Sequence, residues 1–167
     1  MSKALPPKPR SLNSKTTITV VASRYNEEFT DALVENAHKE LVELIPNAQL
    51  ELVRTPGAFE IPVFVETLIR NHKPECIICL GLILRGQTAH GDMVAESVTN
   101  SLQQIAVAHA LPIIHEVLLV DDEKQAYARC IGNKLNRGRE AARAAASIME
   151  TLQQIKQNAP RSFPRNA

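Results

Sequence analysis

The chain is 167 residues long, enough for one domain whose core needs neither disulfides nor metals to hold it together. Hydrophobic residues make up 44% and charged residues 22%, and 19 basic against 18 acidic side chains leave a formal charge of +1. That balance supplies no field to gather nucleic acid or anionic lipid. No apolar run has the length of a membrane span, and the N-terminal stretch lacks the apolar segment of a secretory signal, so cytosol is the expected location.

Residues 1–15 (MSKALPPKPRSLNSK) are rich in proline and basic residues and are read as a flexible arm, as is the tail of residues 157–167. Between them, residues 16–156 form one domain in which two kinds of segment alternate. TTITVVA (16–22) is a β-branched strand. After it, Phe29, Leu33, Ala37, Leu41 and Leu44 mark one face of a helix, with Asn26 as its cap and Glu27 and Glu28 in the first turn. QLELVR (49–54) is a second strand, and TPGAFEIP turns on Pro56-Gly57 into a helix opened by Pro62 and reaching Asn71.

A third strand covers 76–84, followed by a helix from about Asp92 to Ala110. PIIHEVLLV (112–120) is the fourth strand. Asp122 with Gln125 resembles a capping box for a helix to Cys130, IGNKLNRG is a loop, and an alanine-rich helix (139–156) closes the chain. The near-continuous apolar strands and the β-α alternation predict an α/β fold in three α/β/α layers, with a four-stranded parallel sheet flanked by helices.

Cys76 and Cys79 match C-x-x-C but lie inside the third strand, where residues three apart face opposite sides. They are read, with Cys130, as buried small hydrophobes rather than a redox or zinc pair.

Ligands of open parallel sheets sit beyond the carboxyl ends of the strands. The segments there are SRYN (23–26), TPGAFE (55–60), LRGQTAHGD (84–92) and LVDDE (119–123). Gly81 to Thr88 nearly spells a phosphate-wrapping P-loop, but Gln87 replaces the required lysine and residues 82–84 read as strand, which rejects triphosphate hydrolysis. A milder anion site on the backbone of Gly86, Gln87 and Thr88, near a helix start, remains.

His90 is a candidate acid–base group or a helix-end histidine, whereas His38, His72 and His109 have no polar cluster nearby, and His115 reads as a core or interface histidine. Tyr25 either stacks on a flat heterocycle or covers the core. Phe59 is expected to pack on the sheet edge and Glu60 to sit in a first helical turn. Arg129, Lys134 and Arg137 form either a solvated basic face or a phosphate clamp.

Taken together, residues 17–156 resemble the lumazine synthase family. The resemblance rests on Arg24-Tyr25-Asn26, the run Pro56-Gly57-Ala58-Phe59-Glu60-Ile61-Pro62, Gly81 through His90, Arg129 in a Q-A-x-x-R helix and Asn136-Arg137-Gly138. It implies the flavodoxin-like fold of that family and a transferase of riboflavin biosynthesis. Such an enzyme condenses 5-amino-6-(ribitylamino)uracil with 3,4-dihydroxy-2-butanone 4-phosphate to 6,7-dimethyl-8-ribityllumazine, phosphate and water.

By resemblance, Tyr25 stacks on the pyrimidine, backbone near Ala58 and Ile83 reads its edge, and Asn26 and Glu60 hold the ribityl chain or ring substituents. Gln87, Thr88 and Arg129 bind the butanone phosphate and His90 moves protons; Phe59, Arg85, Gly86, His115 and Arg137 complete the candidate set. No metal or organic cofactor is implied. The implied assembly is a homo-pentamer, in some members closed twelvefold into an icosahedral shell, with an arginine and an aromatic entering each site from the neighbour.

The sequence departs from the pattern at His115 and Gly91, where aromatics are common, at Glu116, where a small residue is frequent, and at Leu119-Val120-Asp121, in place of a threonine-rich strand end. Asn133, Lys134 and Leu135 also depart. A non-catalytic scaffold and a flavodoxin-like or receiver module are the rival expectations; SRYN after the first strand fits neither of the latter two.

Overall fold

The computed structural model describes residues 5–13 and 15–157. Its elements are β1 (Thr17–Ser23), α1 (Glu27–Leu44), β2 (Gln49–Thr55), α2 (Ile61–His72), β3 (Cys76–Leu84), α3 (His90–His109), β4 (Ile113–Val120), α4 (Glu123–Cys130) and α5 (Arg137–Gln157). All neighbouring strands pair in parallel, in the order β2-β1-β3-β4. The chain thus steps outward from β1 to β2 and then returns to β1's other side for β3. That reversal opens a crevice between the carboxyl ends of β1 and β3.

Side-chain alternation splits the core in two. Ile18, Val20 and Ala22 of β1 and Cys76, Ile78 and Leu80 of β3 pack with Leu33, Ala37 and Leu41 of α1 and the alanines of α5. Val21, Ile77 and Cys79 face the other way, onto Ile61 and Val65 of α2 and Val98 and Leu102 of α3. The layers are therefore α1/α4/α5, sheet, α2/α3, as the apolar runs predict. The cysteine pair is divided between the two sides, and burial pushes the Cys76 and Cys130 thiols up to about 12 and raises Cys79 as well.

Two local expectations, both at helix starts, are corrected, and the N-terminal segment makes contacts of its own. Residues 5–13 have no helix or strand, yet they lie against α1 and α5. Leu12 is only 9% exposed and its N–H donates to Leu44 O at 2.7 Å, while Arg143 donates to Pro6 O. Leu12 joins the core cluster and anchors the segment there. The tail beyond Gln157 lies outside the described residues.

Asn26 stands at the start of α1 but makes no side-chain cap. Its backbone is left-handed (φ 57°, ψ 49°), which turns its amide across the sheet. The closing helix begins at Arg137, not Arg139, because Asn136 organises its start: Oδ1 accepts from Arg139 N–H at 3.1 Å, while Nδ2 donates to Cys130 O and Gly132 O. The cap expected at α4 is present, with Asp122 accepting from Gln125 N–H at 2.7 Å.

Glu116 on β4 is held against the α4/α5 layer with no short ion pair among the described residues, and burial pushes its carboxyl up to about 7. The folded chain keeps this proton to near neutrality, whereas an unfolded one releases it near 4.5. The folded state therefore binds more protons across that interval, and stability falls as pH rises through it. Glu116→Gln is expected to flatten this dependence and to raise stability above pH 7 by about 1–3 kcal/mol. Urea denaturation at pH 5 and pH 8 checks this; an unchanged pH slope in the variant would refute it.

Candidate active site

A cavity of about 850 Å³ opens at the β1/β3 crevice. Its polar and aromatic lining comes from three of the four collected strand-end segments: Tyr25 and Asn26 after β1, Gly57 to Glu60 after β2, and Gly86, Thr88 and His90 after β3. The fourth segment, after β4, does not line it. The size falls within the ordinary range of small-molecule pockets.

Each wall has a local cause. Asn26 Nδ2 donates to Leu82 O at 2.8 Å, pinning the turn after β1 to the last part of β3. The turn after β2 closes on itself: Thr55 Oγ1 donates to Gly57 O and Gly57 N–H donates to Glu60 Oε2, at 2.8 and 2.9 Å. A Cβ at Gly57 would stand 2.9 Å from Glu60 Oε2 and 3.0 Å from the Tyr25 ring. Only glycine lets the tyrosine lie on this backbone.

Tyr25 is 71% exposed and lines the cavity rather than covering the core. Phe59 is 60% exposed and lines the cavity too, which corrects the expected packing on the sheet edge; Ala58 and Ile61 take the buried positions. Glu60 is the N-cap residue of α2, and its side chain turns back to Gly57 N–H rather than capping the helix.

At the opposite end, residues 85–90 are exposed and lead into α3, whose first residue is His90. A Cβ on Gly86 would meet nothing within 4 Å, so this backbone is open to an approaching group. Thr88 Oγ1 accepts from His90 N–H at 3.4 Å. The first turn of a long helix, beside an open glycine, suits an anion. Ile83 lines the floor, and Leu82, Leu84, Gly91, Met93, Val94 and Ser97 join it.

The single chain does not bring every candidate here. Gln87 is exposed on the same loop without lining the cavity. Arg85 is turned to Asp92 and Asp121. His115, on edge strand β4, lies with Nε2 3.0 Å from Thr99 Oγ1, and burial lowers its pKa, which favours the neutral ring. Arg129 on α4 donates to Gln125 O at 3.2 Å. Arg137 is 7% exposed and ion-paired with Glu140, so it belongs to the fold's interior rather than to a solvated basic face.

The α3 residues Met93, Val94 and Ser97 were not singled out by sequence. Their spacing of three, four and seven from His90 puts them on its helical face, a signal readable only once the helix start is known.

Residues 15–153, from just before β1 to within α5, match the 6,7-dimethyl-8-ribityllumazine synthase family. Among curated relatives, the 6,7-dimethyl-8-ribityllumazine synthase of Coxiella burnetii is 34% identical over 139 residues, covering 83% of this chain and 92% of that one. The 6,7-dimethyl-8-ribityllumazine synthase 1 of Caulobacter vibrioides is 34% identical over 143 residues, covering 85% and 94%. Among solved structures, a GDP-L-fucose synthetase from Naegleria fowleri bound to NADP has a TM-score of 0.41 at 12% identity, covering 94% of this chain and 49% of that one, too slight a likeness to bear on function. The family match spans all four strands and relatives align over more than four fifths of the chain, so this chain belongs to the 6,7-dimethyl-8-ribityllumazine synthase family.

Proposed function

We propose that this chain is a transferase of riboflavin biosynthesis that condenses 5-amino-6-(ribitylamino)uracil with 3,4-dihydroxy-2-butanone 4-phosphate, releasing phosphate and water. The supporting observation is the two-ended cavity: an exposed tyrosine ring beside backbone and carboxylate at one end, an open glycine and a helix N-terminus with an imidazole at the other. A flat pyrimidine with a polyol suits the first end and a small phosphate the second.

In this reading Tyr25 and Phe59 flank the pyrimidine, and backbone at Ala58 and Ile83 meets its edge. Asn26 and Glu60 hold the ribityl chain or ring substituents. Gly86, Gln87 and Thr88 receive the phosphate. The substrate's own amine attacks the ketone, so the protein need supply only alignment and proton transfer. His90, exposed on the cavity wall, is the group for the latter. Arg129 and His115 reach the site of an adjacent copy in a homo-pentamer, the arginine toward the phosphate and the imidazole toward the pyrimidine or its side chain.

The test is absorbance of purified protein with both substrates, with the unaided condensation subtracted. Lumazine formation well above that background is expected. A rate equal to the background would overturn the assignment and leave a non-catalytic scaffold as the better account.

A further inference from the structure

Arg85 closes β3 and was placed by sequence among the substrate contacts. In the structure its guanidinium is occupied on two sides. Nη2 and Nε grip the Asp92 carboxylate at 2.7 and 3.3 Å, and Nη1 holds Asp121. Its own N–H donates to Val120 O at 2.9 Å. Asp92 lies in the first turn of α3, and Asp121 follows β4 directly. One side chain thus joins the end of β3, the end of β4 and the start of α3.

Asp121 is itself fixed from the other side. Gln125 Nε2 donates to its Oδ2 at 2.9 Å, and the backbone carbonyl of Gln125 accepts from Arg129 at 3.2 Å. The Asp92 carboxyl is held below its ordinary range first by the Arg85 hydrogen bond, and that of Asp121 first by the Gln125 amide. Both carboxylates therefore stay charged throughout the neutral range.

The exposed segment between these anchors, residues 86–89, contains the glycine, glutamine and threonine proposed to receive the phosphate, and His90 follows it. The hydrogen bond from His90 N–H to Thr88 Oγ1 is long, at 3.4 Å. Holding such a segment in one shape costs backbone entropy at every residue. A guanidinium fork reaching from the residue before it to the helix turn beyond it reduces the conformations available.

We infer that Arg85 is a positioning residue: it clamps the base of the 86–90 segment and sets the geometry of the phosphate cradle and His90 without touching substrate. The inference rests on the function proposed above for that segment. Charge argues against direct contact, since one guanidinium between two carboxylates leaves a net negative cluster that repels an incoming phosphate.

The decisive comparison is Arg85→Ala with Asp121→Asn, by steady-state kinetics and by hydrogen exchange of the unliganded proteins. A clamp predicts that both variants raise KM for the butanone phosphate, by about tenfold for Arg85→Ala and less for Asp121→Asn, and leave KM for the ribitylaminouracil within about twofold. The double variant is expected to be no worse than Arg85→Ala, because the two residues form one linkage. Exchange should quicken in residues 86–90 and stay unchanged in β1 and β3.

A direct phosphate ligand predicts the opposite sign for Asp121→Asn, since freeing the guanidinium would lower KM. That result, or unchanged exchange at 86–90 in Arg85→Ala, overturns the clamp. If the wild-type protein makes no lumazine above background, the proposed function fails instead, and the exchange comparison still decides whether Arg85 holds the segment.

Discussion

Gly138→Ala is expected to lower the melting temperature by about 6–12 °C, corresponding to roughly 3 kcal/mol. Two effects oppose each other. Alanine favours a helix over glycine by about 1 kcal/mol, and less at a helix start such as this one. Against that, a Cβ at Gly138 would lie 2.4 Å from Leu33 O and 3.1 Å from Ala37 N, both backbone atoms of α1.

No rotamer change relieves a clash with backbone, so α1 and α5 must separate, and their contact encloses the larger half of the core. Gly86→Ala is the control: nothing lies within 4 Å of its Cβ, and the melting temperature should hold. A Gly138→Ala protein melting at or above the parent would show that the two helices are less tightly seated than described.

His90→Ala should slow turnover about a hundredfold while leaving both KM values nearly unchanged. A hundredfold corresponds to about 2.7 kcal/mol of barrier. That is the low end for general acid–base catalysis, and it is chosen because the two substrates also condense unaided, so much of the acceleration must come from holding them together. Tyr25→Ala, by contrast, should act mainly on KM for the ribitylaminouracil. If His90→Ala keeps turnover within twofold of the parent, the imidazole is a bystander and the acid–base group must be sought elsewhere in the cavity.

The sheet and its layers were legible because buried parallel strands have nearly continuous apolar runs, and because the helical faces of α1 and α5 repeat at regular spacing. The strand-end rule then located three walls of the cavity from segments far apart in sequence. What escaped depended on partners that local sequence does not encode. Asn26 before two glutamates reads as a helix cap, yet its amide is spent on Leu82 O, 56 residues away.

Phe59 reads as an apolar residue seeking cover, while its neighbours Ala58 and Ile61 already fill the buried places. Arg85 reads as a substrate contact and Arg137 as part of a solvated basic face or a phosphate clamp; only the fold brings Asp92 and Asp121 to the one and turns the other inward beside Glu140. His115 and Arg129 are the remaining gap, because one chain does not bring them to its own cavity.

The division of the cysteines between the two sides of the sheet gives the protein a built-in pair of chemical clocks. Cys76 on β3 and Cys130 at the end of α4 are sealed in the core on the α1/α5 side, and Cys79 is sealed under α2 and α3. A thiol reagent added to the native protein has no exposed sulfur to attack, so every labelling event records an opening. Mass spectrometry of the tagged peptides would then time the two halves of the molecule separately. Equal rates at Cys76 and Cys79 would mean that the sheet loses both coverings in one cooperative event. A faster rate at Cys79 would mean that the α2/α3 layer, which carries His90 at its edge, lifts on its own.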